Sequence, residues 1–263
     1  MHILIVTHPR SRSSFLCDAF SKHYQCTNFH ELFDFTNPLN HEITKAKLLK
    51  NLSEKVIMEK HVTYLQECTK QIFHENSGSV KLFPRHILNT FLESNNYQYS
   101  IQDLNNINFQ VVPKFDKILE ILKFDKIIFL NRDIINSALS YVLNIHIVKA
   151  PLLQNELDKI YFHKKISNIE IKPEYYKHLN FFIFEYILYS HIKKYIQSTV
   201  SCDSIELNYN NCVEYVQTNL TGDIKSQFVE TSLDYTKIIS NYTEIRNYII
   251  NVHQQLLEYK FVL

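Results

Sequence analysis

The chain has 263 residues, of which 45% are hydrophobic, 13% aromatic and 21% charged. These values are ordinary for a folded protein and exclude a wholly disordered chain. The formal net charge is +1, which excludes a general nucleic-acid binder held by a basic field. Only 2 residues are glycine, and this excludes a glycine-rich phosphate loop.

Predicted strands and helices alternate along the chain. Short apolar runs with β-branched residues indicate buried strands, and apolar residues at helical spacing indicate helices. Strands are predicted at residues 3–7, 26–29, 79–83, 126–131 and 204–208. Helices are predicted at 13–23, within 43–74, and at 115–122, 134–144, 152–165, 174–197 and 235–258. Residues 95–113, rich in Asn and Gln, are predicted to form a long loop or a lid.

This alternation predicts a three-layer α/β fold. We expect a single domain over residues 1–263, with about five mainly parallel strands and helices on both faces of the sheet. The five cysteines include no Cys-x-x-Cys pair, which argues against a disulfide framework and a cysteine-based zinc site. No signal-peptide pattern and no apolar run of about 20 residues is found. We therefore expect a cytoplasmic protein without a membrane span.

Basic and hydroxyl residues follow the first predicted strand, in the stretch Pro9, Arg10, Ser11, Arg12, Ser13 and Ser14. In an open parallel sheet, ligands bind where the carboxyl ends of strands meet the amino ends of helices. Two guanidiniums, three hydroxyls and the N–H groups of a helix start are the components of an anion site. The Walker pattern of phosphate-binding loops is absent.

A second junction follows the strand at 126–131. Arg132 comes directly after this strand, and Asp133 is placed to cap the next helix. Ser140 lies about two helical turns further, on the flank that also carries residues 136 and 137. An arginine at a strand end and a serine on the following helix can hold one phosphate from two sides.

Together the two junctions resemble the sulfotransferases that use 3′-phosphoadenosine 5′-phosphosulfate. In that family the first strand runs into a Pro-Arg/Lys-Ser-Gly-Ser/Thr-Ser/Thr loop, and residues 9–16 match it. A later strand runs into an Arg-Asp/Asn…Ser-Tyr segment, matched by residues 129–133 and 138–141. The resemblance implies a P-loop-like sulfotransferase fold. Arg12 stands where the family usually has glycine, so it is either strained at positive φ or adds a third cation in a different turn.

The resemblance also implies roles for individual residues. The donor's 5′-phosphosulfate is expected at Pro9, Arg10, Ser11, Arg12, Ser13, Ser14 and Phe15, with Arg10 neutralising the sulfuryl oxygens and the leaving phosphate. The 3′-phosphate is expected at Arg132 and Ser140. Lys81, at a strand end that faces the same crevice, is expected to help polarise the donor. No metal is required, because cationic side chains take its place.

The general base is expected in the segment after the second strand. Residues 28–33 look like the Glu-Phe/Leu-Phe segment of bacterial and carbohydrate-type sulfotransferases, which makes Glu31 the base that takes the acceptor's proton. His30 and His86 are the alternatives. The expected acceptor is a small molecule or a carbohydrate, and nucleic acid is not expected as a partner. A kinase of related fold and a non-catalytic sulfotransferase-like nucleotide-binding protein are the alternative functions.

Overall fold

The structure is a computed structural model that describes residues 1–9, 11–30, 77–84, 98–106, 124–143, 168–220 and 233–258. Its described strands form one sheet of five, in the order β2-β3-β1-β4-β5, and every neighbouring pair is parallel. The predicted α/β fold with a parallel sheet is therefore confirmed. The strands are β1 (His2–Thr7), β2 (Thr27–His30), β3 (Gly78–Leu82), β4 (Lys126–Asn131) and β5 (Asp203–Asn208).

The described helices connect and cover these strands. They are α1 (Ser13–Tyr24), α2 (Ile101–Asn106), α3 (Ile134–Val142), α4 (Tyr176–Thr199), α5 (Cys212–Asn219), α6 (Tyr235–Ile238) and α7 (Tyr242–Leu257). A 3-10 turn over Pro173–Tyr175 leads into α4. The helices predicted within 43–74 and at 115–122 and 152–165 lie outside the described residues. None of the described helices is long and apolar enough to span a membrane.

Helix α2 corrects part of the prediction that residues 95–113 form a loop or a lid, because residues 101–106 are helical; residues 95–97 and 107–113 lie outside the described residues. The backbone N–H of Ser100 donates to a carboxylate oxygen of Asp103 over 2.8 Å, and the Asp103 N–H donates back to the Ser100 hydroxyl over 3.1 Å. This reciprocal pair closes the first turn of the helix. Leu104 is then fully buried against the helical core, which gives the short helix its packing.

Side chains of the central strands alternate between the two faces of the sheet. On one face, Ile3, Ile5, Ile128 and Leu130 share an apolar cluster with residues of α1 and α5. The intervening side chains of β1 and β4 point to the opposite face. Helix α4 lies there, since the ammonium of Lys193 is 5.7 Å from the centre of the Phe129 ring. Helices therefore cover both faces.

A second apolar cluster joins α2, α3, α4, α6 and α7. Phe181, Phe182 and Phe184 of α4 are almost fully buried in it, so these aromatic side chains serve the core. Asp133 is the N-cap of α3, as predicted, and its Oδ1 accepts from the N–H of Asn136 over 2.8 Å. Because β1, β4 and β5 are parallel, the loops that follow them lie at one edge of the sheet.

Candidate functional site

The two predicted junctions are neighbours in space, because β1 and β4 are adjacent parallel strands. Val6 pairs with Phe129 and Thr7 pairs with Leu130, and the Thr7 hydroxyl donates to the Leu130 carbonyl over 3.1 Å. Strands β2 and β3 lie on one side of β1, while β4 and β5 lie on the other. The strand order reverses at this point, and open parallel sheets bind their ligands beyond the strand ends at such a point.

The loop after β1 is held by its own hydroxyls. The Ser11 hydroxyl donates to the His8 carbonyl over 2.8 Å and also contacts the Thr7 hydroxyl. Both side chains are fully buried. The Ser11 hydroxyl thus faces the protein in this structure, and its expected contact with a phosphate stays a prediction.

Arg12 has the backbone conformation that favours glycine. It is the N-cap of α1, with φ 71° and ψ 20° in the left-handed region, where a residue with a Cβ loses about 1 kcal/mol. Its side chain crosses to the end of β5. Nη1 donates to the Tyr209 carbonyl over 3.0 Å, and the guanidinium carbon lies 3.7 Å from the centre of the Tyr209 ring. Arg12 is thus both strained at its backbone and engaged through its side chain.

Lys81 reaches the start of α1 from β3. It pairs with Ile5 on β1, so its side chain points to the face that α1 covers. The ammonium donates to the hydroxyl of Ser14 over 3.0 Å, and Lys81 is only 3% exposed. The structure therefore brings Lys81 to the predicted donor loop. Pro9 and Ser13 are buried, and the Phe15 side chain packs in the core of this face.

Arg132 and Ser140 occupy different environments on the second junction. Arg132 is half-buried beyond the end of β4, whereas Ser140 is 5% exposed within α3. Arg132 borders a pocket of about 440 Å³ at the carboxyl ends of β4 and β5, and Ser140 is not among the described residues that line this pocket.

Every side chain that lines the pocket carries a polar group. Four amides, one guanidinium, two phenols and one carboxylate surround it, in Asn131, Arg132, Asp133, Tyr186, Asn208, Tyr209, Asn210 and Asn211. Amide, guanidinium and phenol groups all donate hydrogen bonds, so the lining suits a ligand rich in oxygen acceptors, such as a phosphate ester. The last residue of β5 and the turn that follows it supply half of these residues, and neither was among the predicted sites.

His8 is a further residue at this edge that the prediction missed. Its ring is fully buried, with its centre 4.8 Å from the ring centre of Tyr186 and 5.5 Å from that of Tyr189. Nδ1 lies 3.0 Å from the Pro9 carbonyl, which assigns the proton to Nδ1 because a carbonyl can only accept. Nε2 is buried and has no hydrogen-bond partner among the described residues.

The electrostatic environment keeps His8 neutral. Burial lowers the pKa of its imidazole to about 4, and the positive charge of Arg132 acts in the same direction. Burial also raises the pKa of the Tyr186 phenol, with a contribution from the nearby Asp133 carboxylate. The only signal for His8 in the sequence is its position directly after the first buried strand.

Several predicted site residues lie outside the described residues. These are Arg10, Glu31 and His86. The backbone of His30 ends β2, but its side chain is outside what the structure describes. The choice of base among Glu31, His30 and His86 therefore stays a prediction.

No protein-family model matches the chain, and no curated protein matches it significantly. Among the described residues, no group of His, Cys, Asp or Glu side chains could hold a metal ion. The candidate site is therefore defined by the side chains at the carboxyl edge of the sheet.

Proposed function

We propose that this protein is a sulfotransferase that moves a sulfuryl group from 3′-phosphoadenosine 5′-phosphosulfate to a hydroxyl or amine acceptor. One observation supports this most directly: the two segments that resemble this family follow adjacent parallel strands and open on the same edge of the sheet. Arg12 from one segment and Arg132 from the other both contact the ring of Tyr209. Two cations from distant parts of the chain thus meet where the donor would bind.

The proposed chemistry needs placement and charge stabilisation. The acceptor oxygen bonds to sulfur while the bond between sulfur and the donor's phosphate oxygen breaks, and the acceptor's proton passes to the base. Such in-line transfer is accelerated by fixed donors aimed at the developing charge. Arg10 and the backbone N–H groups at the start of α1 are proposed to hold the transferring end of the donor. Lys81, which donates to Ser14, adds a buried positive charge beneath them.

Arg132 is proposed to bind the donor's 3′-phosphate, with Ser140 contributing from α3. A guanidinium forms strong, directional hydrogen bonds with phosphate oxygens. The pocket that Arg132 borders holds about 440 Å³, within the range of small-molecule sites. Glu31 remains the proposed base, with His30 and His86 as alternatives, and a small molecule or a carbohydrate remains the proposed acceptor. No metal takes part in the proposal.

Nucleotide binding tests the proposal before any acceptor is known. Calorimetry and thermal unfolding would compare adenosine 3′,5′-bisphosphate with AMP and with ATP plus magnesium. We expect the bisphosphate to bind most tightly. Arg132→Ala should weaken bisphosphate binding roughly 10- to 150-fold, the value of one charge-assisted contact, and leave AMP binding nearly unchanged. Lys126→Ala is the matched control, because it removes a cation from the opposite end of the same strand.

The outcomes separate the alternative functions. Equal binding of AMP and the bisphosphate would contradict the proposed 3′-phosphate site. A rise in the melting temperature seen only with ATP plus magnesium would indicate a kinase. Transfer of label from the sulfur-labelled donor to a panel of phenols, amines and carbohydrates then tests catalysis. Tight bisphosphate binding without transfer or donor hydrolysis would indicate a non-catalytic nucleotide-binding protein.

A further inference from the structure

The ring of Tyr209 is contacted by two guanidinium groups. The guanidinium carbon of Arg12 lies 3.7 Å from the ring centre and that of Arg132 lies 4.0 Å from it. At these distances each cation is attracted to the electron-rich face of the ring. Two like charges are therefore held close together, and the aromatic ring offsets part of their mutual repulsion.

The backbone of Tyr209 is itself firmly held. Its N–H donates to the Asn131 carbonyl over 2.7 Å, which ties the turn after β5 to the end of β4. Its carbonyl accepts from Arg12 over 3.0 Å and from the Cys212 thiol over 3.2 Å. The turn is closed by Asn211, whose side-chain oxygen accepts from the N–H of Asn208 over 2.7 Å. The ring therefore stands on a well-anchored turn.

Arg12 and Arg132 differ in their relation to the pocket. Arg132 and Tyr209 line it, whereas Arg12 is not among its described lining residues. Arg12 instead lies towards α5, where it interacts with Cys212. Tyr209 therefore links Arg12 to the wall of the pocket.

We propose that Tyr209 is the positioning residue that fixes the guanidinium of Arg132 at the pocket wall, and that Arg12 fixes Tyr209 in turn. An unrestrained arginine loses rotamer freedom when it binds an anion. A guanidinium already held against a ring loses less, so a dianionic phosphate ester binds more tightly. This role also accounts for an arginine at φ 71°, because glycine would relax the backbone there but would release Tyr209.

The ligand predicted for this arrangement is the 3′-phosphate of an adenosine bisphosphate, and this part rests on the proposed function. The positioning of Arg132 does not rest on it. The two parts can therefore be tested separately, first without a ligand and then with one.

Nuclear magnetic resonance of the arginine Nε–Hε groups tests the positioning directly. The Arg132 signal, assigned by its loss in Arg132→Lys, should show a rigid side chain in the wild type and in Tyr209→Phe, which keeps the ring. It should become mobile in Tyr209→Leu and in Arg12→Gly. Tyr215→Leu is the matched control, because it removes another half-buried tyrosine, from α5, and should leave Arg132 rigid. Should Tyr209→Leu fail to fold, Arg12→Gly still tests the positioning, because the Arg132 side chain is expected to become mobile in that variant too.

Calorimetry with adenosine 3′,5′-bisphosphate, AMP and inorganic pyrophosphate tests the consequence. We expect Tyr209→Leu and Arg12→Gly to bind the bisphosphate about 3- to 30-fold more weakly, the range of one cation–π contact. AMP should be affected far less, and Tyr209→Phe should restore most of the loss. An Arg132 side chain equally mobile in the wild type and the variants would overturn the inference, whichever nucleotide binds. A rigid Arg132 in a protein that does not prefer the bisphosphate would support the positioning and refute the proposed donor.

Discussion

Among the histidines whose side chains the structure describes, His8 is the most deeply buried. It packs against aromatic rings of α4, and burial lowers the pKa of its imidazole to about 4. In the unfolded chain a histidine has a pKa near 6.5. Below pH 6.5 the unfolded state takes up a proton that the folded state does not bind. Its contribution to stability is therefore complete above pH 6.5 and is lost as the pH falls towards 4.

Replacing His8 should flatten the pH dependence of stability. Between pH 7.5 and 5.0 the unfavourable protonation of this single group costs about 2 kcal/mol of unfolding free energy. Over the same interval, we expect the unfolding free energy of His8→Asn to fall by about 2 kcal/mol less than that of the wild type. Urea unfolding at both pH values measures this difference. If both proteins lose stability equally, His8 is protonated in the folded state and its described burial is contradicted.

Arg12 allows backbone strain to be separated from side-chain contact. Arg12→Gly and Arg12→Ala both remove the contacts with Tyr209, but only glycine adopts φ 71° without a Cβ clash. We expect the unfolding free energy of Arg12→Ala to be about 1 kcal/mol lower than that of Arg12→Gly.

An exposed residue of α1 supplies the control for Arg12. Lys22 lies within the helix, where alanine should be more stable than glycine by about 1 kcal/mol. At position 12 the glycine variant is thus expected to be the more stable, and at position 22 the alanine variant. The same order at both positions would mean that Arg12 is not held at positive φ in solution.

Local chemistry was predictable from the sequence, and long-range contacts were not. Asp133 was predicted as a cap from its position before a helical pattern, and the N–H that it accepts from belongs to Asn136, only three residues away. The bond from Arg12 to Tyr209 joins residues 197 positions apart, and no local pattern encodes it. The inward orientation of the Ser11 hydroxyl depends equally on Thr7 and on the shape of the loop.

At the scale of elements, the strands were predicted to within one residue at every end. The strands predicted at 3–7 and 126–131 contain the continuous apolar runs 3–6 and 127–130, which are typical of buried parallel strands. The prediction that residues 235–258 are mostly helical is confirmed by α6 and α7, and Ile239 lies at the break between these two helices. Ile239 forms a bridge with Ile169, and Ser240 donates its N–H to the Ile169 carbonyl over 2.9 Å. Pairing with a segment 70 residues earlier overrides the local helical pattern.

Gly78 marks a close approach between β2 and β3. It begins β3 and pairs with Thr27 of β2, and a Cβ placed on it would overlap the ring of Phe29. We expect Gly78→Ala to destabilise the protein by about 1–3 kcal/mol, the usual cost of overpacking. Urea unfolding of Gly78→Ala, Phe29→Ala and the double variant would measure it. The cost should largely disappear in the Phe29→Ala background, and an equal cost in both backgrounds would point to backbone strain instead of the ring.

At the scale of the whole molecule, the two ends of the parallel strands differ in what they carry. The candidate site lies at the carboxyl ends, and hydrogen bonds within the protein lie at the amino ends. The carboxyl ends of β1, β4 and β5 carry the arginines, the amides and the pocket. The opposite edge is closed by bonds within the protein. There the N–H of His2 donates to the Asp125 carboxylate over 2.6 Å, and the Asp125 N–H donates to the His2 carbonyl over 2.9 Å. Sequence patterns identified the strands but not their order, so they could not show that β5 contributes to the site.

Hydrogen exchange can test this division. Adenosine 3′,5′-bisphosphate, bound as proposed, should slow amide exchange in peptides that cover residues 8–16, 131–136 and 208–213. These three segments lie far apart in the chain, but they meet at one edge because all five strands are parallel. Peptides over residues 1–4, 124–127 and 200–204, at the opposite edge, should exchange as in the free protein, since local protection follows local contact.

Two variants make the exchange experiment decisive. Arg132→Ala should lose the added protection at all three segments under the same ligand concentration, because the cation that joins the ligand to β4 and β5 is gone. Lys126→Ala, at the far end of β4, should keep it. Protection confined to residues 8–16 would show that the ligand occupies the β1 loop alone, and that the pocket beside Tyr209 is not part of the nucleotide site. Protection at both edges would indicate global stabilisation and would argue against a binding site defined by the strand ends.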